Sequence, residues 1–195
     1  MHWPVAKTSS GQKIDFIDTW NAMTDLLSSG KVKHIGVSNF SPAQLEKLLN
    51  ETSHKPAVHQ MELHPYLQQN DWVAFHEKHG IHVTAYSPLA GTNPTYDDGA
   101  PPQLLHNKQV AKIAKARNCS SNAQVALAWA LSRGTSAIPK SAHAARIEEN
   151  FASQHCDLQS EDYDVLAALG QKYKYRYNNP SKSWGVKLYE GLDGI

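Results

Sequence analysis

Cysteine is scarce in this sequence. Cys119 and Cys156 are the only two in 195 residues, set in unrelated contexts with no CxxC spacing. That predicts a reducing compartment, most simply the cytosol, with both thiols as small packing residues. No run approaches ~18 apolar residues, which excludes a transmembrane helix. Lys7-Thr8-Ser9-Ser10-Gly11 breaks any apolar core of a leader peptide at once. Charge of one sign is also missing. Nineteen basic and 18 acidic residues leave a net +1, and no Lys/Arg cluster appears, so there is no footprint for nucleic acid or a membrane surface. What remains, 41% hydrophobic and 19% charged, reads as globular.

A βα rhythm runs through that composition. Phe16, Trp20, Met23 and Leu27 share one face of a predicted helix over 15–27. A short buried strand is expected over 32–37. Ser41, Pro42 and Gln44 form a helix start, with Ser41 as N-cap in a capping box. A strand over 57–63 follows, then a helix over 71–79 with Gly80 after its end, then a strand over 81–86. The irregular stretch 88–102 holds four prolines and two glycines, and connections this long are usually functional. Helices are predicted over 108–117 and 122–131, the second with Ser121 and Gln124 as a capping box. A strand over 135–138 precedes helices near 143–150 and 161–169, the latter capped by Ser160 and stopped by Gly170. An extended tail should follow.

Strands alternating with helices imply a parallel sheet with right-handed crossovers. A doubly wound nucleotide-binding sheet would normally show GxGxxG after its first strand, and the sequence has none. In a barrel the functional residues stand at strand C-terminal ends. Here Ser38-Asn39, Gln60-Glu62-His64, Tyr86-Ser87 and Lys140-Ser141 do so. The reading is therefore α/β, a partial (β/α)₈ TIM barrel.

Five motifs then carry a resemblance. His2-Trp3-Pro4, Gly36-Val37-Ser38-Asn39-Phe40 and His59-Gln60-Met61-Glu62-Leu63-His64-Pro65-Tyr66 are three of them. Ala85-Tyr86-Ser87-Pro88-Leu89 is the fourth, and Ile138-Pro139-Lys140-Ser141 with Arg146-Ile147-Glu148-Glu149-Asn150 the fifth. In order and spacing they resemble the ends of strands four to eight of the aldo-keto reductases. The resemblance implies residues 1–195 as the C-terminal part of one such domain, from the tip of strand four through strand eight and the tail, with the N-terminal half absent.

It also implies roles. Ser38, Asn39 and Gln60 would hold a nicotinamide carboxamide, which their hydroxyl and amide groups match. Tyr86 would stack on the nicotinamide ring, beside Ser87 and Leu89. Lys140, Ser141 and Arg146 would take the adenosine 2′-phosphate, and Glu149 and Asn150 the adenine, so NADP(H) is the expected cofactor. His2 would orient the reacting carbonyl of an aldehyde or ketone. Trp3 and Trp184 would border the substrate, Trp184 in the family's C-terminal loop. Each residue also has a plainer reading. Ser38-Asn39 turn the chain before Ser41, Lys140 and Arg146 are solvated charges, and Trp184 anchors the tail.

The family's general acid is a Tyr activated by a Lys paired with an Asp, all N-terminal to the His-Trp-Pro strand. None of the eight tyrosines matches that motif. The chain is thus expected to be truncated and inactive alone, with self-association through open sheet edges. The alternative is a non-catalytic half-barrel acting as a nucleotide-binding or interaction protein. Eleven histidines suggest no metal site: His76, His79 and His82 straddle Gly80 and read as exposed, and His59 faces away from Glu62 and His64.

Overall fold

The computed structural model describes residues 1–91 and 100–192. Part of the predicted long connection, 92–99, lies outside them. In chain order the elements are β1 (Ala6–Lys7), β2 (Lys13–Ile14), α1 (Phe16–Ser28), β3 (Gly36–Ser38) and α2 (Pro42–Glu51). Next come β4 (Val58–Glu62), α3 (Asn70–Lys78), β5 (His82–Tyr86), α4 (Lys108–Ala116) and α5 (Asn122–Ser132). β6 (Ser136–Ala137), α6 (Ala144–Phe151), α7 (Ser160–Lys172) and a short α8 (Ser181–Trp184) complete the series. No helix among the described residues is long and apolar enough to cross a membrane.

The chain divides into two compact units. Unit 1 comprises 1–61, 70–83 and 180–195; unit 2 comprises 62–69 and 84–179. In unit 1, β3 and β4 pair in parallel, Ser38 opposite Gln60, and the His82 N–H donates to the Ala57 carbonyl at 3.0 Å, placing β5 beside β4. Trp20 of α1 is fully buried and its indole N–H donates to the His54 carbonyl at 2.9 Å. Asp15 caps α1 through the Ile17 N–H, and the Ser41–Gln44 capping box starts α2. In unit 2, β5 and β6 pair in parallel, Thr84 opposite Ser136. The core of that unit is α5, whose residues 124–130 are all buried, as a helix apolar on every side requires. No ladder closes these strands into a ring among the described residues.

Several expectations are corrected. The strand expected over 32–37 is only β3. Lys31, Lys33 and His34 are exposed, and pairing starts where Gly36 lets the Val58 carbonyl approach. A Cβ at Gly36 would stand 2.6 Å from that oxygen. Gly170 does not stop α7, which begins at Ser160 with Gln159 as its cap and runs on to Lys172. A Cβ at Gly170 would meet the Gln68 amide at 2.6 Å and the Pro65 carbonyl at 2.8 Å, so the glycine serves close packing. Gln124 leaves its box half-formed. Its Oε1 accepts from the Ser120 N–H, one residue before the cap.

A two-residue hairpin, β1–β2, forms where no element was expected, and the tail contains α8. The cysteines are not independent packing residues. Cys119, after α4, and Cys156, beyond α6, are joined as a disulfide with Cα atoms 5.3 Å apart. The sequence separation of 37 hid that pairing. His76 is fully buried, contrary to the exposed reading, because α3 turns it onto His59.

Candidate functional site: two clusters at the strand ends

In unit 1 the end of β3 is organised by Asn39. Its backbone takes a left-handed turn at φ 61°, and its N–H donates to the Gln60 carbonyl at 3.2 Å. The side-chain amide is fully engaged within the protein. Nδ2 donates to the His2 carbonyl at 3.1 Å and to Ser38 Oγ at 3.0 Å, and Oδ1 accepts from the Tyr189 hydroxyl at 3.2 Å. Asn39 thus ties the His2–Trp3 segment and the C-terminal stretch to the strand end. Gln60 is half-buried, and its amide makes no hydrogen bond among the described residues. Ser38 beside it is buried, with its Oγ accepting from Asn39.

The His2 ring is exposed, 5.7 Å from the Trp3 ring. Trp3 meets Trp184 edge-on at 4.9 Å and Tyr189 at 6.2 Å. Trp184 also lines a cleft of about 700 Å³ between the β1–β2 hairpin and residues 184–187. The two tryptophans assigned to substrate are therefore together, beside His2.

Behind the β3 turn lies a buried histidine pair that sequence reading did not find. The Phe40 N–H donates to His59 Nε2 at 3.1 Å. His59 must then carry its proton on Nδ1, which lies 2.6 Å from His76 Nε2, and His76 Nδ1 donates to the Trp72 carbonyl at 2.5 Å. Both rings are neutral in this chain of bonds. Burial, and then the neighbouring His76, hold His59 well below the ordinary histidine range. Burial brings His76 down to about 4.

In unit 2, Glu62 is fully buried at the end of β4. Its Oε1 accepts from His64 Nε2 at 2.9 Å and the Tyr177 N–H at 2.7 Å, and its Oε2 accepts from the Asn178 N–H at 2.8 Å. Burial alone would raise this carboxyl, but the His64 hydrogen bond, the His64 and Arg176 charges and the Tyr177 N–H hold it below its ordinary value. Asn178 in turn donates through Nδ2 to the Tyr86 hydroxyl at 3.0 Å. Glu62 therefore fixes Tyr86 through one intervening residue. Ser87, exposed, turns the chain at φ 47°.

The other sequence-assigned residues of unit 2 come together. Leu89, Lys140, Ser141, Arg146, Glu149 and Asn150 line one cleft of about 570 Å³. Lys140 and Arg146 are exposed and form no ion pair among the described residues. Ser141 Oγ accepts from the His143 N–H at 3.1 Å. Glu149 is held from the opposite wall by the Ser121 hydroxyl, and its carbonyl accepts from Gln124 Nε2 at 2.9 Å. Ser121 and Asn122 also line the cleft. Sequence reading had given Ser121 only a capping role. Its second use depends on tertiary approach, and no local signal announces that.

The Aldo/keto reductase family model matches residues 1–171. The chain belongs to the aldo/keto reductase family. An uncharacterized oxidoreductase of Schizosaccharomyces pombe is 42% identical, over 99% of this chain and 63% of the relative. A glycerol 2-dehydrogenase (NADP(+)) of Hypocrea jecorina is 37% identical, over 88% and 52%. Among solved structures, aldose reductase from Giardia lamblia superposes with a TM-score of 0.86 at 35% identity, covering 97% of this chain and 66% of that one. A Bombyx mori aldo-keto reductase in complex with NADP gives 0.85 at 30% identity, covering 97% and 61%. This aldo/keto reductase chain spans about three fifths of the length of two curated relatives from Schizosaccharomyces pombe that it matches. Its α/β architecture with parallel strands is that of the family.

Proposed function

We propose that this chain is part of an NADP(H)-dependent oxidoreductase that interconverts aldehydes or ketones and alcohols. The observation that carries the reading is the cleft of unit 2. It gathers two cations without carboxylate partners among the described residues, a serine hydroxyl and an asparagine amide against a leucine. That donor set suits a phosphate beside an adenosine, with Arg146 offering a planar fork and Lys140 a point charge. Asn150 and Glu149 are assigned to the adenine, and Ser87 and Leu89 to the chain leading into the cleft.

When bound, the nicotinamide supplies a hydride to the carbonyl carbon. The chain's own groups bind and orient. The Gln60 amide and the Ser38 hydroxyl hold a carboxamide, while Asn39 keeps both in place through its internal bonds. Tyr86, fixed by Asn178, presents a flat face for stacking. His2 donates a hydrogen bond that orients the carbonyl oxygen, and Trp3 and Trp184 border the substrate.

Calorimetric titration of the chain with NADPH and NADH tests the reading. Clearly tighter binding of NADPH is the expected result, and equal affinity defeats it. These 195 residues hold no tyrosine in the family's general-acid motif. The loss of a general acid costs about 10²–10⁴-fold. The chain alone should accordingly show almost no NADPH oxidation with a reactive aromatic aldehyde. A rate within about tenfold of an intact family member contradicts that assignment.

A further inference from the structure

The cleft of unit 1 carries a charge pattern that the cofactor does not use. Ile14, Trp184 and Val186 give it apolar walls, Lys7, Lys13 and Lys187 stand around it, and no acidic side chain among the described residues lines it. Lys7 and Lys13 are direct partners in the β1–β2 register. Residues opposite each other in an antiparallel pair project to the same side, with Cβ atoms about 4.5–5.5 Å apart, and like charges there repel.

Neither lysine has an acidic partner among the described residues, whereas Lys187 Nζ lies 3.7 Å from Glu190. A hairpin with two residues per strand has little to set against this repulsion. An oxyanion seated between the two ammonium groups would remove it. Apolar walls around one sign of charge also strengthen the attraction for such a group. The site is close to the chemistry, because Trp184 is held edge-on by Trp3, the neighbour of His2.

We propose that the Lys7–Lys13 pair selects carbonyl substrates that carry a carboxylate at the end remote from the carbonyl. The carboxylate sits between the two lysines and an apolar body packs on Trp184. This rests on the reading of the chain as a carbonyl-reducing oxidoreductase.

The test compares two product alcohols, which cannot form imines with lysine: 4-(hydroxymethyl)benzoate and the neutral 4-(hydroxymethyl)benzamide. Titrated calorimetrically at low ionic strength, the benzoate should bind about tenfold more tightly, from one added charge-assisted contact. The preference should shrink as salt screens the exposed lysines and vanish in the double variant Lys7→Gln/Lys13→Gln. Lys13→Glu is the second variant: it leaves an attractive cross-strand pair to hold the hairpin, and it too should lose the preference. Equal affinity in the wild type, or a preference surviving in either variant, overturns the proposal. NADPH titrated into the same wild-type sample separates the two ideas. Carboxylate preference without NADPH binding defeats the oxidoreductase reading and the assignment of the anion as its substrate, whereas NADPH binding without the preference defeats only the lysine selection.

Discussion

His59 Nδ1 and His76 Nε2 lie 2.6 Å apart in the interior of unit 1, and the pair bridges the Phe40 N–H to the Trp72 carbonyl. A single proton direction satisfies all three bonds, so the pair works only when both rings are neutral. It joins the turn that follows Ser38 and Asn39 to helix α3.

That relationship predicts an acid-sensitive fold. In the folded chain His59 is held well below its ordinary value and His76 is brought down to about 4, so the unfolded chain binds more protons below pH 6.5. Above pH 6.5 the pair contributes no pH dependence. Stability should fall as the pH drops from about 6.5 towards 4. Urea midpoints measured at intervals across this window should decline, and His76→Asn should flatten the decline. An unchanged slope in that variant would show that other groups cause it.

The disulfide makes a second prediction. Cys119 lies two residues before Ser121, whose hydroxyl holds Glu149 across the unit 2 cleft, and Cys156 follows the α6 segment that carries Arg146, Glu149 and Asn150. A loop of 37 residues closed by a disulfide is worth roughly 3–4 kcal/mol on the chain-entropy account. At about 2–4 °C per kcal/mol for a chain of this size, reduction should lower Tm by roughly 6–16 °C. Scanning calorimetry with and without a phosphine reductant measures the shift. Cys119→Ser should start from the lower value and not respond to the reductant.

Local signals were legible, and non-local ones were not. Ser41 and Ser121 announce helix starts because a cap bonds to an N–H three residues away. The residues of the unit 2 cleft were named by the family motif, in which Lys140 and Ser141 follow β6 while Arg146, Glu149 and Asn150 lie on α6. Gly170 misled for the opposite reason. Its small size answers to Gln68 and Pro65, about a hundred residues earlier, and not to the helix it sits in. The Glu62 clamp on Tyr177 and Asn178, the His59–His76 pair and the disulfide join distant segments in the same way. The β1–β2 hairpin was missed because two residues per strand carry no period. Asn39 was assigned to the cofactor through the family motif and its amide chemistry, and in the fold that amide bonds to His2, Ser38 and Tyr189, partners that local sequence does not announce.

The last prediction concerns which dinucleotide the unit 2 cleft prefers. Arg146 lines that cleft without an acidic partner among the described residues, which leaves its guanidinium available to a ligand phosphate. Hydrogen bonds to charged groups contribute about 1.5–3 kcal/mol, and the exposure of Arg146 places it at the lower end. Arg146→Ala should therefore weaken NADPH binding by about tenfold. NADH has no 2′-phosphate, so its affinity should barely change. Circular dichroism of the variant should match the wild type, because the Arg146 side chain forms no hydrogen bond or ion pair among the described residues. Titrating both cofactors against both proteins decides the matter. A selective loss for NADPH assigns Arg146 to the phosphate, and an equal loss for both assigns it to the fold of α6.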